Sequence, residues 1–424
     1  DLLAGLAYSI AANYLTKVVG DRRIGDRIFF QGGVAWNKAV VAAFENLTGK
    51  TVTVPPHHDV TGAIGAAILA MEKVAEPGFR TRFKGFDLHK RRYDLSSFAC
   101  EDCSNQCEIH KVEIEGEEPL FYGARCERYD VSRRDDRPLP PDYLTWRQRL
   151  LFRRYVEVPA PARWRGRVGI PMVLHFYEYY PFWKAFFESA GFQVVRSGMS
   201  SGAIVDDALE LFTAETCFPI KLVYGHVNAL LQRKVDYIFL PSLIKVADQD
   251  EDDAEGAYIC PYVQSIGSQL EARFDFAAEG VKFVSAQISL SHSVAVLQQK
   301  LKGLVREFGL SEREFNRSVA AGLKAYRSYR QGVREAGERA LRELGADERM
   351  LVVVSRPYNG FDRRLSLDLP DKLRNLGYRA IPIDFLPAEQ ADSEFPYMYW
   401  RYGRRILQAA DFIRKHPGLF AVYI

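Results

Sequence analysis

Charge of either sign is almost cancelled in this chain. Its 424 residues carry 57 Lys and Arg against 54 Asp and Glu, a formal net charge of +3. So small an excess argues against nucleic acid as the partner. The basic runs Arg80–Arg92 and Arg133–Arg154 read as solvated linker surface, the second with acidic residues mixed in. Long apolar runs are missing too. No stretch approaches 18 uninterrupted apolar residues, so no membrane span is expected, and no secretory leader opens the chain. Nothing resembles a Walker A loop, a Ser-His-Asp triad or a nucleic-acid module. Cysteine is scarce at six residues, but four of the six fall within 27 positions, as Cys100-x2-Cys103-x3-Cys107-x18-Cys126. Clustered thiols without a secretory leader point to a reducing, cytoplasmic setting, where they bind metal rather than pair as disulfides.

What is present is an ordinary globular composition, 47% hydrophobic and 26% charged, long enough for two or three domains. Both ends read as cut. The chain begins inside an amphipathic helical pattern (Leu2, Leu3, Leu6, Ile10, Tyr14) and stops inside the apolar run Leu419–Ile424, so an internal fragment of a longer protein is expected.

Residues 1–78 read as an α/β pattern. Ile28-Phe29-Phe30 is a strand that runs into Gln31-Gly32-Gly33-Val34-Ala35, Asn37–Leu47 is helical, Thr51–Pro55 is a strand, and Thr61–Ala67 opens a small-residue helix. Residues 79–165 lose periodicity, hold the cysteine quartet and are punctuated by Pro138-Leu139-Pro140-Pro141 and Pro159-Ala160-Pro161; they read as a metal-organised module and linker. Residues 166–290 form a second α/β unit, 291–347 a helical connector rich in Arg and Glu, and 348–424 a third α/β unit. Strands alternating with helices imply parallel, Rossmann-like sheets with ligand sites at the strands' carboxyl ends.

Several places could carry chemistry. At Gln31–Asn37, two glycines at a strand-to-helix turn let a ligand approach the backbone, or make only a tight turn. The quartet Cys100, Cys103, Cys107 and Cys126 suits a four-thiolate zinc site or a [4Fe–4S] cluster; its x3 arm departs from the usual zinc-ribbon spacing. His110 is a substitute ligand or a solvent-facing residue. Cys217, in Thr216-Cys217-Phe218-Pro219, and Cys260, in Ile259-Cys260-Pro261-Tyr262, stand alone beside prolines, which remove a backbone donor and stiffen a thiolate-bearing loop. His226 is a core or capping histidine, or else a hydrogen-bond donor or proton carrier near Cys217. Tyr177 and Glu178 follow the strand Arg167–Pro171, where a ligand site would be bordered. The acidic run Asp248–Asp253 reads as a loop before Cys260.

Two sets of motifs resemble known proteins. Gly32-Gly33-Val34-Ala35-Trp36-Asn37, Val52-Thr53-Val54-Pro55 and Gly62-Ala63-Ile64-Gly65-Ala66-Ala67 resemble the carboxyl-terminal end of the activator ATPases of 2-hydroxyacyl-CoA dehydratases and benzoyl-CoA reductases, of the acetate-kinase/actin/Hsp70 superfold. The resemblance implies that Gly32, Gly33 and Asn37 border the adenosine of ATP, with Mg and the first phosphate loop belonging to a longer chain. A second, ordered set spans roughly 165–424. It comprises Arg167–Pro171, Tyr177–Trp183, Glu215–Lys221, Gly225-His226-Val227, Asp236–Pro241, Cys260–Gln264 and Arg356-Pro357-Tyr358-Asn359, and it resembles the dehydratase-component-like half that some activators carry fused behind the ATPase.

This second resemblance implies a [4Fe–4S] cluster held by Cys217, Cys260 and a third cysteine shortly after Leu419–Ile424. The expected function is ATP-dependent delivery of low-potential electrons for reductive activation of an acyl-CoA-type substrate. A homodimer formed through the ATPase part, or a dehydratase-type partner subunit, is implied with it. The competing expectation is a zinc-stapled, non-catalytic scaffold with vestigial ligands at 217 and 260.

Overall fold

The computed structural model describes residues 1–424 apart from 82, 84, 101–106, 126–128, 130–137, 160, 213–214, 247–256, 291–292, 346–347, 388–394 and 396, and the side chains of 88 and 89. Cys103, Cys126 and the acidic run 248–253 therefore lie outside the described residues. The chain divides into two compact units, Asp1–Arg92 and Tyr93–Ile424.

The first unit contains α1 (Leu2–Tyr14), β1 (Ile28–Phe29), α2 (Lys38–Thr48), β2 (Val52–Thr53) and α3 (Thr61–Val74). β1 and β2 pair in parallel, Ile28 opposite Val52. The core is small: Ala7 and Ala11 of α1 pack on Val40 and Ala43 of α2, with Phe30 and Phe44 beside them. A π-helical turn extends α1, and the resulting Leu2–Val19 segment is apolar and long enough to cross a membrane by length and composition. As expected, Ser9, Asn13, Thr16 and Lys17 break every uninterrupted apolar run here, and the segment qualifies on average hydropathy alone. Core helices of soluble proteins meet the same criterion.

The second unit opens with an antiparallel meander of β3 (Tyr93–Ala99), β4 (Glu108–Ile114) and β5 (Leu120–Tyr122). The stretch read as linker then supplies α4 (Tyr143–Phe152), capped by Asp142, whose carboxylate accepts from Thr145 N. Tyr143, Arg147 and Leu151 bury the inner face of this helix. Next come β6 (Arg167–Ile170), α5 (Phe176–Ser189), β7 (Gln193–Arg196), α6 (Gly202–Leu211), α7 (Phe218–Leu231), β8 (Tyr237–Phe239), β9 (Ser242–Val246), α8 (Pro261–Gln264), α9 (Ile266–Glu271), β10 (Lys282–Val284) and β11 (Gln287–Leu290). The sheet order is β10-β8-β6-β7, all parallel, with β11 and β9 pairing separately, also in parallel.

α10 (Val294–Lys300) and α11 (Gly303–Phe308) lead to α12 (Glu312–Arg342), started by a reciprocal cap between Ser311 and Glu314. α12 lies against α5, and Gly322 allows the close approach, since an added Cβ would lie 3.0 Å from Phe182. Then follow β12 (Met350–Val354), α13 (Pro357–Phe361), α14 (Arg363–Ser366), α15 (Leu369–Asn375), β13 (Arg379–Pro382), α16 (Arg401–Lys415) and β14 (Leu419–Tyr423), with the parallel order β13-β12-β14. The expected mixed α/β architecture with parallel sheets is what the second unit shows. Its core is aromatic: Trp183, Phe186, Phe187, Phe192, Phe239 and Phe308 interlock at ring separations of 4.6 to 6.5 Å. Burial of each such ring contributes roughly 1.5–3 kcal/mol.

Candidate functional site

Three short sequences in the second unit build the same local structure. Cys217, Cys260 and Arg356 each sit just before a helix, at φ/ψ of −65/144°, −51/136° and −67/147°. A proline follows within two residues in each case (Pro219, Pro261, Pro357). Proline fits there because the first helical N–H groups have no partner to lose. Each preceding carbonyl accepts from the residue three positions on: Cys217 O from Ile220 N at 3.0 Å, Cys260 O from Val263 N at 2.9 Å, and Arg356 O from Asn359 N at 3.0 Å. The backbone before Cys260 is tied down further, since Ile259 N donates to Ile244 O and Gln264 Nε2 to Ile259 O.

The charges of all three residues bear on Tyr358. Burial pushes its hydroxyl up to about 12; the Arg356 charge opposes that, and the charges of Cys260 and Cys217 reinforce it. Tyr358, Cys260 and Tyr423 likewise act electrostatically on the Arg356 guanidinium. Cys217 is exposed and Cys260 half-buried, and both are free thiols. β14, which follows β12 in register up to Tyr423, ends beside this cluster.

Beneath Tyr358 lies an ionic layer. Tyr358 meets Tyr402 edge-on at 6.2 Å, and Tyr402 donates to Glu178 Oε2 at 3.0 Å. Arg401 clamps Glu178 with two bonds of 2.9 and 3.0 Å, while Arg405 and Arg330 approach at 3.5 and 3.8 Å. Burial alone would raise this carboxyl, but the charge and hydrogen bonds of Arg401, with Arg405 and Arg330, hold it far below the carboxylate range. Glu178 is thus a permanently charged anchor rather than a proton carrier.

His226 belongs to a separate, neutral chain of hydrogen bonds. Gly225 lets α7 press against the Ile204 backbone of α6, which buries the histidine completely. Ser197 Oγ lies 2.7 Å from His226 Nδ1, Ser200 Oγ lies 2.9 Å from Nε2, and Ser200 donates in turn to Asp362 Oδ2. Tyr177 donates to the same carboxylate oxygen at 2.7 Å. The carboxylate can only accept, so Ser200 must receive from Nε2–H and Ser197 must donate to Nδ1. Burial, helped by Arg233, lowers the imidazole to about 3, so it stays neutral. His226 is therefore a core histidine, and none of its bonds reaches Cys217.

The remaining candidates are placed as follows. Cys100 and Cys107 face each other at the loop end of the β3–β4 hairpin, just past the Ala99–Glu108 pair, where Cys100 N donates to Cys107 O at 2.8 Å. Cys100 is buried and accepts from the Tyr129 hydroxyl at 3.6 Å. His110 is occupied by Ser97, 2.8 Å away, and its ring lies 5.0 Å from that of Tyr122. In the first unit, Gly32 takes φ +96° at the Gly-Gly turn and its N donates to His58 O, while Asn37 caps α2 by accepting from Ala39 N and Val40 N. Among the described residues no group of three or more His, Cys, Asp or Glu is placed to hold a metal ion.

Residues 167–386, which carry Cys217, Cys260, Arg356 and the buried chain around His226, match the family described as CoA enzyme activase uncharacterised domain (DUF2229). The chain belongs to this CoA enzyme activase domain family. The matched segment is just over half of the chain and includes Glu178, though not its partners Arg401 and Arg405. No curated protein matches this activase-family chain. Two solved structures align weakly. One is the SBP FpvC in complex with Ni2+ from P. aeruginosa, at 14% identity and TM-score 0.21, covering 61% of this chain and 86% of that one. The other is a sugar transporter from Clostridium phytofermentans, at 12% identity and TM-score 0.14, covering 60% and 96%.

Sequence reasoning passed over Arg356, Asp362 and Arg401 as site residues. Arg356 had a visible signal, the Arg356-Pro357 pair that repeats Cys260-Pro261. Arg401 and Asp362 meet partners more than 160 positions away, a separation that local pattern does not reveal.

Proposed function

We propose that the second unit is a thiolate site for an iron–sulfur cluster, in a protein that delivers low-potential electrons for the reductive activation of acyl-CoA-type substrates. One observation carries the proposal. Cys217 and Cys260 are both free, occupy matching stiffened positions, and act together on one buried tyrosine. Two soft donors suit iron–sulfur chemistry but fill only part of the ligand set. The family resemblance expects a third cysteine just past β14, whose end runs beside Arg356.

A bound cluster supplies one-electron transfer at a potential set by its ligands, neighbouring charges and exposure to water. The chain's own residues would orient it. Proline-stiffened loops hold the thiolates, Arg356 brings positive charge beside them, and Tyr358 closes the floor above the Glu178–Arg401 layer. In the first unit, Gly32, Gly33 and Asn37 would border the adenosine of ATP bound with Mg, as the resemblance implies. The turn at Gly32 and Gly33 supports this, because added Cβ atoms there would meet nothing within 4 Å. The quartet Cys100, Cys103, Cys107 and Cys126 would hold zinc or a second cluster. A homodimer or a dehydratase-type subunit would be the protein partner.

The test is anaerobic purification with iron, acid-labile sulfide and zinc quantified, repeated for Cys217→Ala. Iron and sulfide that fall in the variant, together with a visible charge-transfer band, support the reading. Zinc alone, unchanged by the substitution and without colour, would support the scaffold alternative instead.

A further inference from the structure

The edge strand β7 ends at an open groove of about 330 Å³, within the roughly 300–1,000 Å³ of small-molecule sites. Its place follows from the fold, because parallel sheets meet ligands at the carboxyl ends of their strands. Met172 lines it from just beyond β6, and Arg196, Gly198 and Met199 line it from the end of β7. The two chain segments are tied together from behind. Ser197 Oγ accepts from Met172 N at 2.9 Å, and Ser197 and Ser200 both hold His226. Gly198 and Met199 lie between those two serines, so the buried histidine chain fixes this wall of the groove.

Two arginines line the groove, and both are exposed. The Arg196 guanidinium lies over the Phe152 ring, 4.5 Å from its centre. Arg233 donates from Nη1 to Arg196 O, and its own carbonyl accepts from Arg167 Nη1 at 3.0 Å. Glycine at 198 makes room for it: φ is +98°, and an added Cβ would lie 3.0 Å from Arg233 Nη2. One fork is thus held by its flat face and the other by one nitrogen, which leaves both with N–H groups for a ligand. No acidic residue lines the groove, and among the described residues no carboxylate pairs with either guanidinium. Other surface arginines of this unit are balanced, Arg165 by Glu314 and Arg339 by Glu343. Two unbalanced positive charges in one groove repel each other, and a doubly charged anion relieves that repulsion. A carboxylate brings one negative charge, whereas a phosphate group brings about two and accepts paired N–H bonds from arginine. Met172, Val194 and Met199 add an apolar wall for the body that carries it.

We propose that this groove binds the phosphate group of a small organic phosphate ester or diphosphate, with Arg196 and Arg233 as its counter-charges. The site goes beyond the cysteine chemistry and stands whether or not Cys217 and Cys260 hold a metal.

Inorganic pyrophosphate, CoA and pantetheine are the probes, titrated calorimetrically into the whole chain. Pyrophosphate is the anion alone, and pantetheine is the part of CoA that carries no phosphate. CoA is expected to bind at least about tenfold more tightly than pantetheine, the worth of one hydrogen bond to a charged donor. CoA tighter than pyrophosphate assigns the groove to an organic ester, and pyrophosphate as tight as CoA assigns it to the free anion. Arg233→Met should weaken both at least about tenfold. Because that substitution also strips the Arg196 carbonyl of its donor, the exposed Arg196→Glu provides a second variant. It should abolish binding of both while the unfolding temperature stays unchanged, which separates this groove from any nucleotide site in the first unit. Failure of both pyrophosphate and CoA to bind, pantetheine as tight as CoA, or binding that survives Arg196→Glu would each overturn the proposal.

Discussion

Two buried polar assemblies of the second unit achieve burial by opposite means. Around Glu178, charge is met by charge: one carboxylate sits in a clamp from Arg401, with Arg405 and Arg330 close by. Around His226, a neutral ring is satisfied entirely by hydroxyls, and the only charge, on Asp362, is spread over hydrogen bonds from Tyr177, Ser200 and the Arg364 and Leu365 backbone N–H groups. The ionic layer has no group that titrates near neutrality, whereas the neutral chain contains one that is prevented from titrating. The first should be rigid and indifferent to pH, the second sensitive to acid.

The largest expected effect tests the ionic side. Removing one member of a buried ion pair leaves the other uncompensated, so Arg401→Met should cost about 3–5 kcal/mol of unfolding free energy. Chemical denaturation measures it, and a loss under about 1 kcal/mol would show that the layer is hydrated. Next comes the acid response of the neutral side. The folded-state value for His226, about 3, lies below its ordinary 6.5, so the unfolded chain binds the extra proton. Its stabilising contribution is complete above pH 6.5 and declines as the pH falls from there toward 3, by at most about 1.4 kcal/mol per pH unit. Carboxylates add their own acid dependence, so the comparison is with His226→Gln. The wild-type curve should steepen relative to the variant between pH 6 and 4, and parallel curves would contradict a buried neutral imidazole.

The sequence made much of this legible where the pattern was local. Alternation of strand and helix was plain from Arg167 onward, because β6, β7, β12, β13 and β14 are short apolar runs closed by helix signals. Cys217 and Cys260 stood out by their prolines. Pro181 suggests a helix boundary, yet the structure carries α5 through it from Phe176 by giving the freed Tyr177 carbonyl to Arg147. α4 was hidden for a related reason: its buried face includes an arginine, which hydropathy counts as surface, and the partners that neutralise it lie 30 and 237 positions away. Polar residues whose burial depends on distant partners are the ones that pattern reading misses.

A smaller effect separates hydroxyl bonds from charges. Ser197 accepts from Met172 N at 2.9 Å and donates to His226 Nδ1. Ser197→Ala removes both bonds and should cost about 1–3 kcal/mol, since each orphaned group stays buried. A cost as large as that of Arg401→Met would erase the distinction between the two assemblies.

The smallest expected change is at the cysteine site. Cys217 is exposed, has no side-chain hydrogen bond to its helix, and its backbone role needs only an extended residue before Phe218. Cys217→Ser and Cys217→Ala should therefore shift the unfolding free energy of metal-free protein by no more than about 0.5 kcal/mol. This near-silence is informative: a thiol that does little for the fold yet sits on a stiffened loop is available for a ligand. If Cys217→Ala instead destabilised metal-free protein by as much as Ser197→Ala, the thiol would count as part of the packed structure, and the argument for it as a cluster ligand would lose its support.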